Sequence, residues 1–433
     1  MDGKHKFLEK LITYIITTLQ VTTAANVALL PFIIYHFQNI PLISILSNVL
    51  VSPLFAIVLI LSFILVIFST IFSIPSVIAN LCNPLFAMFN SMTRFCADIP
   101  YGNIKTIVPP IYVFGIYYAM LYAIRWWNVH HLSYPRIAAC FQKKAKGMFV
   151  ISILFLLLIQ IFQSTQKEFT ITMIDVGQGD STLIETRQGV TMLIDGGGEK
   201  EGSDFKIGER ITVPYLLHRG IRTLDYVMIS HFDSDHSAGV LSILENCKVK
   251  NVVISKQAEV SAQYTKFCEI VNKKKCHVIE VEQGDTWNID EETSMQILFP
   301  GERFIQENAL NNNSIVCKLQ YQSFSMLFTG DIEKIAEEQL MQQYAHTNAL
   351  QATVLKVAHH GSKGSSTKAF LEATKAKVAV IGVGKDNSFG HPHSEVLKKL
   401  KEQKMRFFRT DLQGEVTITI DRQGQMHVNT FIQ

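Results

Sequence analysis

The residues with chemistry to offer crowd into one stretch, Ser230-His231-Phe232-Asp233-Ser234-Asp235-His236-Ser237-Ala238-Gly239, where four potential metal ligands fall within six positions. The run before it, residues 224–230, is apolar and β-branched enough to be a strand. The ligands are therefore expected on the loop where that strand ends. A loop can turn His231, Asp233, Asp235 and His236 toward one point, which a regular strand or helix could not do for all four. Carboxylate and imidazole both bind divalent cations well. Two such pairs side by side predict two metals.

A chance cluster of His and Asp on a solvated turn is the competing reading, and the rest of the chain weakens it. Residues 325–328 read as a strand that ends at Thr329-Gly330-Asp331, with a helix from about Glu333. Residues 355–358 end at His359-His360-Gly361-Ser362, and residues 378–383 end near Gly384, Asn387 and Gly390-His391-Pro392-His393. Any one of these loops is ordinary. Four apolar strands in succession, each delivering His or Asp at its C-terminal end, predict a site.

The elements that must hold it begin at residue 169. Residues 169–174 alternate as a strand, and Asp175-Val176-Gly177-Gln178-Gly179-Asp180 turns tightly. Residues 181–186 resume as a strand, Gln188-Gly189 makes a hairpin turn, and residues 191–194 return to Asp195-Gly196-Gly197-Gly198. Glycines there allow a close backbone approach or a positive φ. Residues 213–219 read as a helix, and a second helix starts in 239–245.

Before this lies a different kind of chain. Residues 1–166 hold ten Lys/Arg and three Asp/Glu, a charge of +7; with +3 overall, residues 167–433 carry −4. At 433 residues there is room for two or three domains, and the expected division is 1–166 and 167–433. Residues 54–72 contain no charge over nineteen positions, enough to cross a bilayer. Residues 107–124 form a second span, closed by Arg125-Trp126-Trp127 as an interface anchor, and residues 148–162 a third. Several internal spans are not a cleavable signal. Residues 11–30 are apolar but carry Thr13, Thr17, Thr18, Gln20, Thr22, Thr23 and Asn26, which need partners in lipid. That segment is expected inside a helix bundle or along a wet cavity. Residues 76–98 read as amphipathic, with Arg94 and Asp98 as an ionisable pair or as part of an interfacial helix. The loop 125–147 has five Lys/Arg and no acid, which places it in the cytoplasm and everything after about Gln163 outside the cell membrane.

Seven cysteines without a C-x-x-C pair exclude a zinc finger or a thioredoxin-like motif. Cys268 and Cys276 could bridge in an oxidising compartment; free thiols are the simpler expectation.

Taken together, these stretches resemble the metallo-β-lactamase fold and, more narrowly, the ComEC family of DNA-uptake channel proteins. The match is carried by residues 174–180, 193–197, 230–239 and 327–331, by 358–362 with Ser365-Ser366, and by 390–396. Residues 30–53 resemble the last part of that family's membrane domain more loosely. The resemblance implies α-helical transmembrane segments followed by an α/β four-layer αββα sandwich with the metal site at one edge. It implies that His231 and Asp233 help bind one metal and Asp235 and His236 the other. Asp331 would bridge them, and either His359 or His360 would complete the second. Family members elsewhere in the fold often have His where Asp233 stands, and a carboxylate there brings Mn²⁺ or Mg²⁺ into competition with Zn²⁺. The usual third-motif His is replaced by Asn311-Asn312-Asn313-Ser314, where Asn313 is a weak ligand, a phosphate contact or part of a plain turn. Full-length members carry more chain before this point.

The implied chemistry is phosphodiester hydrolysis, with metals acidifying a water and neutralising phosphate oxygens. Asp235 joins that chemistry as a ligand, and His391 or His393 would protonate the leaving oxygen. DNA is the implied substrate, with membrane lipid and other competence-machinery proteins as partners. Against it, the soluble half has no broad basic footprint, although Lys248, Lys250, Lys256, Lys266 and Lys273-Lys274-Lys275 form a local cluster, and no aromatic-interleaved strand-binding groove is visible. A membrane-tethered hydrolase of another phosphodiester is the alternative, because the same ligand set serves many substrates.

Overall fold

The computed structural model describes residues 2–71, 75–97, 99, 102–130, 168–198 and 206–432. The predicted span 148–162, nearly all of the basic loop, and the predicted boundary at 166/167 lie outside the described residues. The chain falls into two compact units, 1–130 with 217–220 and the remainder.

The first unit is helical: α1 (Asp2–Phe37), α2 (Ser44–Ile71), α3 (Pro75–Ala97) and α4 (Ile111–His130), with a two-stranded ribbon of β1 (Asn39–Pro41) and β2 (Asn103–Lys105). Among the described residues two helical stretches are long and apolar enough to cross a membrane, His5–Phe37 and Ser44–Ile67. The polar-flecked segment 11–30 is thus part of one of them. Its polar groups find partners on the next helix: Asn26 donates to Ser44 at 2.6 Å, and Asn48 donates to Thr22 at 3.4 Å. The segment predicted at 107–124 begins its helix later, at Ile111, because Pro109 and Pro110 precede it and proline suits a helix start but not its interior.

Prolines inside α1 and α2 are compensated in kind. Pro31 cannot donate to Val27 four residues back, and the Tyr117 hydroxyl donates to that carbonyl instead, at 2.6 Å. Pro53 likewise frees Val49, whose carbonyl accepts from Tyr14 at 3.4 Å. In lipid such a freed carbonyl has no water to turn to.

The second unit is an αββα sandwich. One sheet runs β17-β16-β3-β4-β5-β6-β7-β8 in space, from β3 (Phe169–Met173), β4 (Thr182–Glu185), β5 (Thr191–Ile194), β6 (Thr223–Met228), β7 (Lys248–Ser255), β8 (His277–Val281), β16 (Val416–Ile420) and β17 (Met426–Thr430). The other runs β15-β14-β13-β12-β11-β10-β9, from β9 (Thr286–Asn288), β10 (Thr293–Phe299), β11 (Val316–Tyr321), β12 (Phe324–Phe328), β13 (Val354–Lys356), β14 (Val378–Ile381) and β15 (Arg406–Arg409). Strand β16 shows the rule that builds the core: Val416, Ile418 and Ile420 are buried between the sheets while Thr417 and Thr419 alternate outward. Phe169 of one sheet stacks on Tyr321 of the other at 4.1 Å. Strand β12 is buried on both faces because helices Lys334–Gln343, Lys368–Thr374 and Ser394–Glu402 cover the outer side through Ala336, Leu340, Phe370, Leu371, Val396 and Leu400.

Both sheets turn parallel where the site lies. β5, β6 and β7 pair in parallel, as do β12, β13, β14 and β15. Parallel neighbours end on one edge, so the loops after β6, β12, β13 and β14 open there together. Open α/β sheets bind ligands at such strand ends. Cys268 and Cys276 are free thiols.

Candidate metal centre

The loop after β6 is shorter than expected. A helix, Ser234–Asn246, starts directly at Asp233, so Asp235 and His236 stand in its first turn instead of on a loop. The reach is obtained by splitting the ligands: His231 and Asp233 precede the helix, and Asp235 and His236 point from its N-terminal turn. The helix start is locked against the loop after β5. Gly196 N–H donates to His236 O and Gly239 N–H to Gly197 O, both at 2.8 Å. A Cβ at Gly239 would collide with the Gly196 carbonyl.

The loop after β12 brings in Asp331, whose amide N–H donates to Ser314 Oγ at 3.2 Å. The turn after β13 holds His359 and His360 at φ 49° and 52°, left-handed backbone that side chains with a Cβ adopt seldom and that recurs at functional sites. Successive left-handed residues point apart. His360 is buried and turns into the centre; His359 stays at the rim, 20% exposed, with Nδ1 3.3 Å from Glu333 and Nε2 3.8 Å from Asp331.

Donor atoms of four residues meet in the interior. His236 Nε2 lies 3.3 Å from His360 Nε2 and 3.2 Å from Asp331 Oδ1. His360 Nε2 lies 3.3 Å from Asp331 Oδ2 and 3.2 Å from Asp235 Oδ2. Ligands about 2.0–2.1 Å from a tetrahedral ion sit about 3.3 Å from each other, so these spacings fit one. The other ring nitrogens are already used: His236 Nδ1 pairs with Asp195 at 2.9 Å and His360 Nδ1 with the Gly382 carbonyl at 2.8 Å. Such backing fixes the tautomer that presents Nε2 to an ion. Asp180 also has an oxygen within 4.8 Å of donor atoms of His236, Asp331 and His360. It approaches both rings from the Nδ1 side, at 3.8 Å, and its carboxylate pairs with Lys356, so we place it behind the centre and Asp235 in it.

His231 supplies a second position. Its Nδ1 contacts Ser230 Oγ at 3.0 Å, while Nε2 is buried without a hydrogen bond and lies 4.0 Å from Asp233 Oδ2. An orphaned buried acceptor needs a reason, and a cation beside Asp233 is one. The structure thus gathers His231, Asp233, Asp235, His236, Asp331, His359 and His360. It also brings His391 alongside, 5.6 Å from the His359 ring and 6.4 Å from that of His360. His393 is used otherwise: its Nδ1 caps helix Ser394–Glu402 by accepting from Glu395 N–H at 3.4 Å. Asn313 closes a turn, accepting from Ile305 N–H and donating to the Ile305 and Ala309 carbonyls.

Three residues escaped the sequence reading: Asp180, Asp195 and Lys356. The two aspartates end motifs that were read only for their glycines. Lys356 left a plain signal, one charge inside a strand otherwise buried and apolar. It is 3% exposed, paired with Asp180, 3.5 Å from Asp331 and 3.0 Å from the Gly330 carbonyl, which occupies all three ammonium donors.

The electrostatics follow from that burial. Burial pulls His236 and His360 toward the neutral form, but carboxylates outweigh it: Asp331 and Asp195 hold His236 well above its ordinary value, and Asp331 and Asp180 hold His360 up to about 10. Burial also opposes ionisation of Asp331, yet His236, His360 and Lys356 keep it well below the usual carboxylate range. His231 goes the other way, pushed down to about 3 by burial and by the charge of His236. His391 falls to about 4 through burial and the nearby His360 and His359. A surplus of buried carboxylate attracts positive charge, which a divalent cation supplies more compactly than protons do.

A family model described as the metallo-beta-lactamase superfamily matches residues 174–385, and one described as competence protein matches residues 1–130. ComE operon protein 3 of Bacillus subtilis (strain 168) is 29% identical over 424 residues, covering 95% of this chain and 52% of that protein. The chain joins a competence-protein region to a metallo-beta-lactamase domain, as the ComEC family does. Competence protein ComA of Neisseria gonorrhoeae is 29% identical over 259 residues, 60% of this chain and 33% of its own. The chain thus spans between about a third and about half the length of these relatives. Among solved structures, the metallo-beta-lactamase fold protein YhfI from Bacillus subtilis aligns with a TM-score of 0.37 at 12% identity, over 61% of this chain and all of that one. The C-terminal unit is a metallo-β-lactamase superfamily domain with a group of Asp and His residues able to hold metal.

Proposed function

We propose that this chain is a membrane component of DNA uptake whose C-terminal domain, residues 167–433, is a metal-dependent phosphodiesterase acting on DNA outside the membrane. The observation that carries the hydrolase part is the convergence of Asp235, His236, Asp331 and His360, in which the two imidazole Nε2 atoms lie 3.2–3.3 Å from each other and from the carboxylate oxygens that face them. The family model described as competence protein and the relative named competence protein ComA support the DNA part, and the two long apolar helices support residues 1–166 as a membrane region. Membrane lipid and other competence-machinery proteins are the partners this reading calls for.

The four donors would hold one divalent ion, and His231 with Asp233 would hold a second, with Asp331 between them. Asp233 and the shared Asp331 make the second position oxygen-rich, which favours Mn²⁺ over Zn²⁺ there. Bound divalent ions supply charge for phosphate oxygens and an acidified water. The chain's own residues prepare for that. Asp195 and the Gly382 carbonyl orient the two imidazoles, Ser314 and Lys356 hold Asp331, and buried walls exclude solvent. His391 Nδ1 is buried without a hydrogen bond, and burial with the nearby His360 and His359 leaves the ring neutral near pH 7, which suits it to accept a proton and not, as the sequence led one to expect, to protonate the leaving oxygen.

The test uses the full chain with single-stranded and duplex DNA in Mn²⁺, Zn²⁺ or EDTA, beside Asp331→Ala. Metal-dependent cleavage should appear and fall by orders of magnitude in the variant while the fold persists. Bound metal with no DNA cleavage, and hydrolysis of a small chromogenic phosphodiester instead, would shift the assignment to another ester. Activity unchanged in Asp331→Ala would refute the metal centre.

A further inference from the structure

The loop 384–391 between β14 and helix Ser394–Glu402 carries a feature that metal chemistry does not use. Its side chains are small, polar or charged except one, Phe389, which is 66% exposed. A single exposed apolar ring is ordinary on a surface. This one stands on a hydrogen-bonded loop and packs against a second ring. Asn387 pins the loop from inside: its Oδ1 accepts from Phe389 N–H at 3.1 Å and His391 N–H at 3.0 Å, and its Nδ2 donates to the Gly384 and His391 carbonyls at 2.9 and 2.6 Å. The Phe389 ring lies 5.7 Å from that of His391 with an interplanar angle of 24°. His391 in turn lies 6.4 Å from His360 at 29°. Three rings therefore step from solvent to the buried donor set, each tilted by less than 30° to the next, and the outermost is largely exposed.

We propose that Phe389 is a stacking platform for one nucleobase of a single nucleic-acid strand whose backbone enters the metal centre. The two ends of the ring ladder select complementary parts of one ligand. A cation-binding group of Asp and His takes a phosphodiester, and an open aromatic face takes a flat ring. A nucleotide has both at fixed separation. Bases inside a duplex already have their faces covered by each other, so the platform favours an unpaired strand. Stacking of this kind tolerates any base, because every base has a π-face. This assignment rests on the phosphodiesterase reading above for the phosphate end only.

The experiment measures binding and cleavage separately. The full chain in detergent is titrated into fluorescently labelled oligothymidylate, a fully abasic strand of equal length and charge, and thymidine monophosphate, with anisotropy or competition as readout. Cleavage of the two strands in Mn²⁺ is followed in parallel. The parent should bind oligothymidylate about tenfold more tightly than the abasic strand, the yield of one stacked base. Phe389→Ala should lose that preference while binding the abasic strand as the parent does, and Phe389→Trp should restore it. Thymidine monophosphate should compete with oligothymidylate in the parent and not in Phe389→Ala. A parent without preference for bases, or a Phe389→Ala chain that keeps it, overturns the platform, as does equal weakening toward both strands. Base preference lost in Phe389→Ala without Mn²⁺-dependent cleavage of either strand leaves the platform standing and refutes the nuclease reading. Cleavage indifferent to Phe389, with no binding difference, does the reverse.

Discussion

Lys356→Met is the substitution that tests the electrostatics of the centre most directly. Methionine keeps the length and the apolar stem and removes only the ammonium. In the parent that ammonium pairs with Asp180, lies 3.5 Å from Asp331 and donates to the Gly330 carbonyl at 3.0 Å, all in a site where Lys356 is 3% exposed. Removing one partner of a buried ion pair costs about 3–5 kcal/mol, because the other charge stays buried without compensation. The orphaned Gly330 carbonyl adds about 1 kcal/mol. Relaxation of the surrounding groups recovers part of the sum, so a net loss of about 4 kcal/mol is expected in EDTA. For a unit of this size each kcal/mol moves Tm by about 2–4 °C, which gives roughly 8–16 °C in the transition of the C-terminal unit. Excess Mn²⁺ should return a good part of it, since a cation beside Asp331 supplies the missing charge. Thermal unfolding of the full chain followed by circular dichroism, with and without EDTA, reads both numbers. Asp180→Asn combined with Lys356→Met completes the cycle, and the double variant should lose at least about 2 kcal/mol less than the two singles together. A Lys356→Met chain within about 1 kcal/mol of the parent in EDTA, or strict additivity in the double variant, would refute the view that this ammonium neutralises the carboxylates.

Two further outcomes separate particular residues. His360→Ala should weaken Mn²⁺ or Zn²⁺ binding by roughly a hundredfold or more in calorimetry while His359→Ala stays within about tenfold, because only His360 meets His236 and Asp235 within 3.3 Å; equal losses would put both at the ion. Metal-free stability should peak near pH 6.5. His360, for which burial is outweighed by Asp331 and Asp180, titrates at about 10 when folded, so its contribution is complete below the unfolded value of about 6.5 and is lost as pH rises toward 10. His231, pushed down to about 3 by burial and His236, costs stability as pH falls from about 6.5 toward 3. Saturating metal, which needs His360 deprotonated, should flatten the alkaline side; a metal-free profile that climbs from pH 6.5 to 10 would contradict the assignment.

What the sequence made legible was everything tied to strand ends. The runs before Ser230, Thr329, His359 and Gly384 announce buried strands by their apolar content, and each strand ends within two residues of the expected place, because register in a sheet is set by the same burial that makes the run apolar. Thus His231, Asp233, Asp235, His236, Asp331 and the His359-His360 pair could be named without coordinates. The choice within that pair could not, since adjacent residues diverge only once both adopt left-handed backbone, and nothing in the letters His-His fixes φ. The helix beginning at Asp233 was missed for a similar reason. His236 and Gly239 are poor or neutral helix formers, and the turn is held instead by tertiary bonds to Gly196 and Gly197, which local propensity does not contain.

The failure over His393 has another origin. His391 and His393 are two apart, a spacing that in extended chain puts both on one face, and the sequence reading treated them as alternatives for one task. The chain stops being extended between them: helix Ser394–Glu402 starts, and its first amides need an acceptor that His393 supplies. Lys356 shows the opposite error, a residue passed over because its neighbours were apolar. In a strand buried on both faces, one ammonium demands counter-charges, and Asp180 and Asp331 come from segments 176 and 25 residues away. A charge that the local sequence cannot satisfy points to distant partners, so Lys356 implied buried carboxylates from elsewhere in the chain, and the structure supplies them from the loop after β3 and the loop after β12.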